Sequence, residues 1–84
     1  MYKWYSDPGH AWLEVSLRDL NNAGIYASHI SPYSYRDGNI FYLEEDCDAG
    51  LFISNYAAIH GAPPAFHDMP YTNSESFIRD LERA

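Results

Sequence analysis

Residues 40–60, IFYLEEDCDAGLFISNYAAIH, contain in succession an aromatic strand signal, a run of acidic residues and a helix signal. The apolar positions Phe52, Ile53, Tyr56 and Ile59 recur at helical spacing, which predicts a helix over residues 49 to 60. Asp48 is the expected N-cap, and the glycine at position 61 is expected to end the helix. This stretch therefore predicts a strand followed directly by the main helix of the fold.

Two hairpins are predicted upstream of this helix. Residues 36 to 43 read Arg-Asp-Gly-Asn followed by Ile-Phe-Tyr-Leu, which predicts a hairpin with Asp37 and Gly38 at its tip. Residues 2 to 15 form a second candidate hairpin, with a Ser-Asp-Pro-Gly turn at residues 6 to 9. Alternation in its second strand predicts Leu13 and Val15 on the core side and Trp12 on the opposite side.

Shorter signals complete the chain. Ser16 begins a cap-x-x-acid pattern that predicts a two-turn helix ending near Gly24. The prolines between residues 62 and 73 predict a surface connection with room for one short strand and with Phe66 or Met69 turned inward. A last helix is expected to begin at Ser74 or Ser76 and to carry three apolar residues on one face: Phe77, Ile78 and Leu81.

The predicted fold class is α+β. We expect an antiparallel sheet of about four strands, with one main helix and one or two short helices packed on one face. Residues 1 to 84 are expected to form a single domain, because this length supports only one core. The residues expected in that core are Leu13, Val15, Leu20, Phe52, Ile53 and Tyr56.

Composition restricts the class of function. Twelve acidic and five basic residues give a formal net charge of -7. We therefore expect a basic partner and no direct binding to nucleic acid. The single cysteine, Cys47, allows no disulfide within the chain and fits a reducing compartment. No apolar run approaches the roughly 20 residues of a membrane span, so we expect a cytoplasmic protein without a membrane partner.

The acidic run is the leading candidate for a binding surface. Four carboxylates in five positions repel one another, which favours retention for a partner, although an ordinary solvated surface remains an equal alternative. Tyrosine rings beside carboxylates are well suited to protein contacts. The candidate partner-binding residues carry either a negative charge or an aromatic ring expected at the surface: Glu44, Glu45, Asp46, Asp48, Glu14, Asp37, Trp12, Tyr33 and Tyr35.

Catalytic and metal chemistry are not expected. Acidic neighbours disfavour the thiolate of Cys47, and Glu44 and Glu45 would face apart in a strand. The spacings of the four histidines match no familiar metal site, and a calcium loop beginning at Asp46 would have Ala57 where the bidentate glutamate belongs. We therefore expect no catalytic residue, metal or cofactor. A metal-dependent or hydrolytic enzyme and a general interaction module remain the alternatives.

Three segments carry a resemblance to a known group: Trp12-Leu13-x-Val15, Tyr33-Ser34-Tyr35, and the Tyr-Leu-Glu-Glu-Asp-Cys-Asp run of residues 42 to 48. Over roughly residues 6 to 60, the chain resembles small proteins of bacteriophages and other mobile elements, and it looks like an anti-CRISPR protein. The resemblance implies a monomeric, non-enzymatic inhibitor in the host bacterial cytoplasm. Its acidic surface would bind a basic nucleic-acid-binding groove of a CRISPR effector complex and block DNA binding.

Overall fold

A computed structural model describes residues 1 to 71 and 73 to 84. In this part of the chain, six strands form one mixed sheet, accompanied by one main helix, one short helix and two 3-10 turns. The fold class is α+β as predicted, but the sheet has more strands than the expected four. The elements are β1 Tyr2–Ser6, β2 Ala11–Ser16, α1 Leu17–Asn22, a 3-10 turn Ala27–His29, β3 Tyr35–Asp37, β4 Ile40–Glu44, α2 Asp48–His60, β5 Phe66–Asp68, a 3-10 turn Phe77–Asp80 and β6 Glu82–Arg83.

The strands lie in the order β5-β1-β2-β4-β3-β6. The strand β5 pairs parallel to β1, whereas the other neighbours pair antiparallel. The predicted antiparallel pairing holds for four of the five strand pairs, and the pairing of β5 with β1 departs from it. The short strand β5 lies in the connection where the sequence left room for one strand, whereas β6 was not predicted; both are only two or three residues long and lie at the two edges.

Local sequence explains both hairpins. In the β1–β2 hairpin, Asp7 Oδ1 accepts hydrogen bonds from the backbone N–H groups of Gly9 (3.0 Å) and His10 (3.1 Å), which fixes the predicted turn. The β3–β4 hairpin has Gly38 and Asn39 at its tip, one residue later than predicted. Gly38 has φ of 59°, which suits the first central position of a type II′ turn and favours glycine there.

Both helices begin and end close to the predicted residues. Ser16 Oγ accepts a hydrogen bond from Asp19 N at 3.1 Å and caps α1 as expected. The helix α2 ends at Gly61, which adopts a left-handed conformation with φ of 81°. The predicted N-cap role of Asp48 is wrong, because Asp48 is the first helical residue and Cys47 occupies the cap position without a side-chain hydrogen bond.

One core lies between the sheet and α2. Leu13 and Val15 of β2 are fully buried there, together with Phe52 of α2 and Leu20 of α1, as predicted. Ile53 and Tyr56, also predicted to be buried, are only partly buried and pack against the edge of this core. The prediction of the main core is thus confirmed at four of its six positions.

A second cluster covers the opposite face of the sheet. Trp12, Tyr35 and Tyr42 are buried there beneath Ile78 from the C-terminal 3-10 turn. The expectation of Trp12 and Tyr35 as exposed contact residues is therefore wrong: Trp12 is 1% exposed and Tyr35 is 7% exposed. The reason is that the C-terminal segment, residues 73 to 84, folds over a sheet face that the sequence analysis left open.

The C-terminal segment is held by a short cap and a short strand. Ser76, one of the two predicted caps, accepts a hydrogen bond from Ile78 N at 3.3 Å. The helix expected there is a 3-10 turn, with Ile78 buried and Phe77 exposed.

In the predicted connection over residues 62 to 73, Phe66 is exposed in β5 and Met69 is partly buried. Thr72 lies outside the described residues. Among the helices that the structure describes, none has the length and apolar character required to cross a bilayer.

Candidate functional site

A cleft of about 280 Å³ opens on the sheet face that the C-terminal segment covers. Its aromatic walls come from β2, from β3 and the loop before it, and from the β1–β2 turn, and its charged groups come from β4 and the C-terminal segment. The residues that line it are His10, Trp12, Tyr33, Tyr35, Glu44, Arg79 and Arg83. Four of them, Trp12, Tyr33, Tyr35 and Glu44, are among the predicted partner-binding residues.

Trp12 forms part of the wall of this cleft. Its side chain is buried, and its ring lies 6.0 Å from the His10 ring and 6.2 Å from the Tyr35 ring. Within the described residues, the Trp12 Nε1–H group has no hydrogen-bond acceptor. A buried donor without a partner costs about 1–3 kcal/mol, so this group is a candidate contact for a ligand.

Arg79 is held over Trp12 by an ion pair with Asp7. Arg79 Nε lies 2.7 Å from Asp7 Oδ2 and Nη2 lies 2.9 Å from Oδ1, while the guanidinium carbon is 5.3 Å from the Trp12 ring centre. The side-chain hydrogen bonds from Arg79 lower the pKa of the Asp7 carboxyl far below its usual range, despite the opposing effect of burial. This pair joins the C-terminal segment to the β1–β2 turn and gives one side of the cleft a fixed position.

Arg83 lies on the same side of the cleft. Its guanidinium carbon is 5.0 Å from the ring centre of Tyr35, and its Nη1 donates a hydrogen bond to the Pro32 carbonyl at 2.9 Å. Tyr33 follows Pro32 in the loop before β3, and its side chain is 65% exposed. Tyr33 is therefore an exposed aromatic residue of the cleft, as predicted, although it lies outside the strand.

Glu44 provides the negative group of the cleft. Contrary to the expectation of an exposed acid, Glu44 is 7% exposed. Its Oε2 accepts a hydrogen bond from Asp46 N at 2.7 Å, while its Oε1 lies 3.6 Å from His10 Nδ1. That separation is an ionic contact if His10 is protonated, but it is too long for a hydrogen bond.

Glu45 lies beside Glu44 and His10 at the rim. One ligand atom from each of these three residues lies within 4.8 Å of the others. The expectation that the two glutamates face apart is wrong, because β4 ends at Glu44 and the chain turns at Glu45. One nitrogen and two carboxylates are a possible ligand set for a divalent cation, and the sequence spacings did not predict this group.

Asp48 has a structural role below the cleft. Its carboxylate accepts hydrogen bonds from Ser31 N, Ser31 Oγ (2.6 Å) and Ser34 Oγ. Ser34 Oγ also accepts a hydrogen bond from Glu44 N at 3.0 Å. Asp48 is 4% exposed, so it is not a surface residue for a partner. It instead fixes the loop that carries Tyr33.

The other two predicted partner-binding acids lie outside the cleft. Asp37 is exposed at the end of β3. Glu14 is half-buried and accepts a hydrogen bond from the Tyr5 hydroxyl at 3.4 Å. Burial, and then the Glu14 carboxylate, raise the pKa of Tyr42 above the usual tyrosine range. Glu14 is therefore engaged with Tyr5 and Tyr42 of the sheet.

Sequence reasoning missed the cationic side of the site. Arg79 and Arg83 lie near the C-terminus, more than 30 residues from the acidic run, and no local pattern connects the two regions. His10 was considered only as one of four histidines whose spacings match no familiar metal site. The available signal was the Asp-Pro-Gly-His stretch itself, because an aspartate that fixes a turn also has a second oxygen free for a distant cation.

Comparison with known proteins finds no matching family model, no similar curated protein and no similar solved structure.

Proposed function

We propose that this chain is a non-enzymatic protein that binds a basic surface of a partner through the acidic turn after β4. The observation that carries this proposal is the exposure of Glu45 and Asp46, which directly follow Glu44 of the aromatic cleft in the chain. Both side chains face solvent, whereas Glu44 and Asp48 of the same run are buried. The binding surface is consequently narrower than the run itself: two adjacent carboxylates together with the exposed ring of Tyr33.

The overall charge supports the same proposal. Among the described residues, seven acidic side chains are exposed: Asp37, Glu45, Asp46, Asp68, Glu75, Asp80 and Glu82. Of the basic side chains, Arg79 is held by Asp7, and Arg36 donates hydrogen bonds to the Gly38 carbonyl. The negative potential of this surface accelerates the encounter with a basic partner and repels the phosphates of nucleic acid.

The partner we propose is a basic nucleic-acid-binding groove, in which the acidic turn takes the place of phosphate. Such grooves are built to bind closely spaced negative charges. The resemblance to small phage proteins names the groove of a CRISPR effector complex as the first candidate to test. Blocking by occupancy requires one inhibitor molecule for each groove, so inhibition is expected to be stoichiometric.

Charge reversal tests the acidic turn directly. The double variant Glu45→Lys with Asp46→Lys is expected to lose partner binding, because it places two cations against a basic surface. Glu44 is left unchanged because a buried lysine at that position would disturb folding. The measurement is pull-down from bacterial cells that express CRISPR complexes, followed by an assay of target DNA binding.

A matched control separates local from overall charge. The variant Asp68→Lys with Glu75→Lys changes the net charge by the same amount at two other exposed positions. It is expected to retain the partner. Equal binding by the Glu45/Asp46 variant and the parent protein would show that the acidic turn is only a solvated surface.

The His10, Glu44 and Glu45 group favours a second candidate, a metal-dependent function. Our first proposal predicts that chelation leaves the melting temperature and partner binding unchanged. The second predicts that chelation lowers the melting temperature by several degrees, that Zn²⁺ or Mn²⁺ restores it, and that His10→Ala abolishes the restoration. Thermal melts of both proteins, with and without the ions, decide between them.

A further inference from the structure

We propose that the cleft binds a small zwitterion, a molecule with the carboxylate and ammonium groups of an α-amino acid. This proposal does not rest on the acidic turn or on a protein partner. It follows from two groups that lie side by side on the sheet: a buried donor without an acceptor, and a largely buried carboxylate with one oxygen that accepts no hydrogen bond among the described residues.

The first group is the hydrogen-bond donor of Trp12. Its Nε1–H is shielded from solvent and has no acceptor among the described residues. Arg83 adds a cation close by, since its guanidinium lies against the Tyr35 ring, and among the described residues it donates a side-chain hydrogen bond only from Nη1. A ligand carboxylate would supply acceptors for the buried N–H and for the remaining guanidinium N–H groups of Arg83.

The second group is the carboxylate of Glu44, the direct cross-strand neighbour of Trp12. Its Oε2 is satisfied by Asp46 N, but its Oε1 accepts no hydrogen bond within the described chain, with His10 Nδ1 at 3.6 Å. The Glu44 side chain is only 9% exposed, so its carboxylate is largely removed from water. A ligand ammonium group would donate to Oε1 and neutralise the charge.

Charges of both signs exclude the simpler ligands. An anion without an ammonium group would lie against Glu44, and a cation without a carboxylate would lie against Arg83. Arg79 does not change this balance, because Asp7 already neutralises it. A molecule that carries both charges satisfies both sides at once.

The size and walls of the cleft favour a ligand as small as an aromatic amino acid. Its volume of about 280 Å³ is just below the range of roughly 300–1,000 Å³ typical of small-molecule pockets. The rings of Tyr33, Tyr35 and Trp12 offer apolar and edge contacts for a flat side chain. L-phenylalanine is therefore a suitable probe.

The test is NMR titration of the ¹⁵N-labelled protein, which reads the indole N–H signal of Trp12 directly. The variant Trp4→Phe assigns this signal, because the chain has only two tryptophans. L-phenylalanine is compared with phenethylamine, which lacks the carboxylate, and with 3-phenylpropionate, which lacks the ammonium group. We expect a saturable shift with phenylalanine and at least about tenfold weaker binding of each single-charge compound.

Two conservative variants test the assigned contacts. Arg83→Gln and Glu44→Gln are each expected to weaken phenylalanine binding about tenfold, whereas Arg18→Gln, on the exposed surface of α1, leaves it unchanged. The same spectra report whether each variant is folded, and Arg83→Gln alone decides the question if Glu44→Gln is not. The proposal is wrong if phenylalanine gives no saturable shift up to about 10 mM, if a single-charge compound binds equally well, or if the folded variants bind like the parent. No partner protein is present, so this result is independent of the proposed inhibitor function.

Discussion

Asp7 and Asp48 are buried carboxylates, and each holds a loop through several hydrogen bonds. Asp7 connects the β1–β2 turn to Arg79 and to Ser76 N, while Asp48 connects the start of α2 to Ser31 and Ser34. Neither role is visible in the sequence, where an aspartate before a Pro-Gly pair or before a helix reads as a local turn or cap residue. Side-chain partners that lie far away in the chain determine what these residues do.

Replacing Asp7 by Asn tests the ion pair with Arg79. We expect a loss of about 3 kcal/mol in the free energy of unfolding at neutral pH, because the half-buried guanidinium loses its counter-charge. The exposed Asp37→Asn is the control, with an expected change within about 0.5 kcal/mol. Urea denaturation measures both variants.

The Asp7 pair also gives stability a defined dependence on pH. The pKa of Asp7 is lowered in the folded state, so the unfolded chain binds the proton more readily. The contribution is complete above the unfolded carboxyl pKa of about 4 and is lost as the pH falls from there toward the lower folded value. Asp7→Asn is expected to lack this part of the acid dependence. A variant with the same loss of stability in acid as the parent would contradict the assignment.

At the level of elements, the C-terminal segment turns a half-covered sheet into one that is covered on both faces. Ile78 is fully buried against the second aromatic cluster, although it lies in a 3-10 turn of four residues. So short a turn has little stability of its own, and the burial of this side chain must contribute much of what holds the segment in place.

Ile78→Ala is expected to cost about 3 kcal/mol of unfolding free energy, the usual cost of removing a buried branched side chain. For a domain of this size, that lowers the melting temperature by roughly 15 °C. Ile59→Ala is the matched control, because Ile59 is 56% exposed and its truncation leaves no buried cavity. Similar melting temperatures for the two variants would show that the C-terminal segment contributes little to stability.

The elements also show which features the sequence can predict. Alternation in β2 and helical spacing in α2 identified Leu13, Val15 and Phe52 as core residues, because these patterns depend on local geometry. The same alternation placed Trp12 on the opposite face but carried no information on whether another segment covers that face. The edge strands β5 and β6 are too short for any periodic signal. The sequence therefore predicted only part of the cleft. Its aromatic residues and its glutamate were among the candidate binding residues, whereas its two arginines were not.

At the scale of the whole molecule, distance limits the effect of net charge. The protein measures 36 × 24 × 19 Å, whereas exposed charges are screened over about 8 Å at physiological ionic strength. A partner that contacts one surface therefore experiences mainly the acids nearest to it. This is why the proposed binding depends more on Glu45 and Asp46 than on the formal charge of -7.

The salt dependence of partner binding provides the last prediction. Wild-type affinity is expected to fall as salt is raised from about 50 to 300 mM, because exposed charge pairs weaken as the screening length shortens. The Asp68→Lys, Glu75→Lys control should show nearly the same dependence, since those positions lie outside the acidic turn. Dissociation constants measured across this range for the two proteins provide the comparison. An affinity that does not change with salt would assign binding to the aromatic surface around Tyr33, because apolar contacts are not screened.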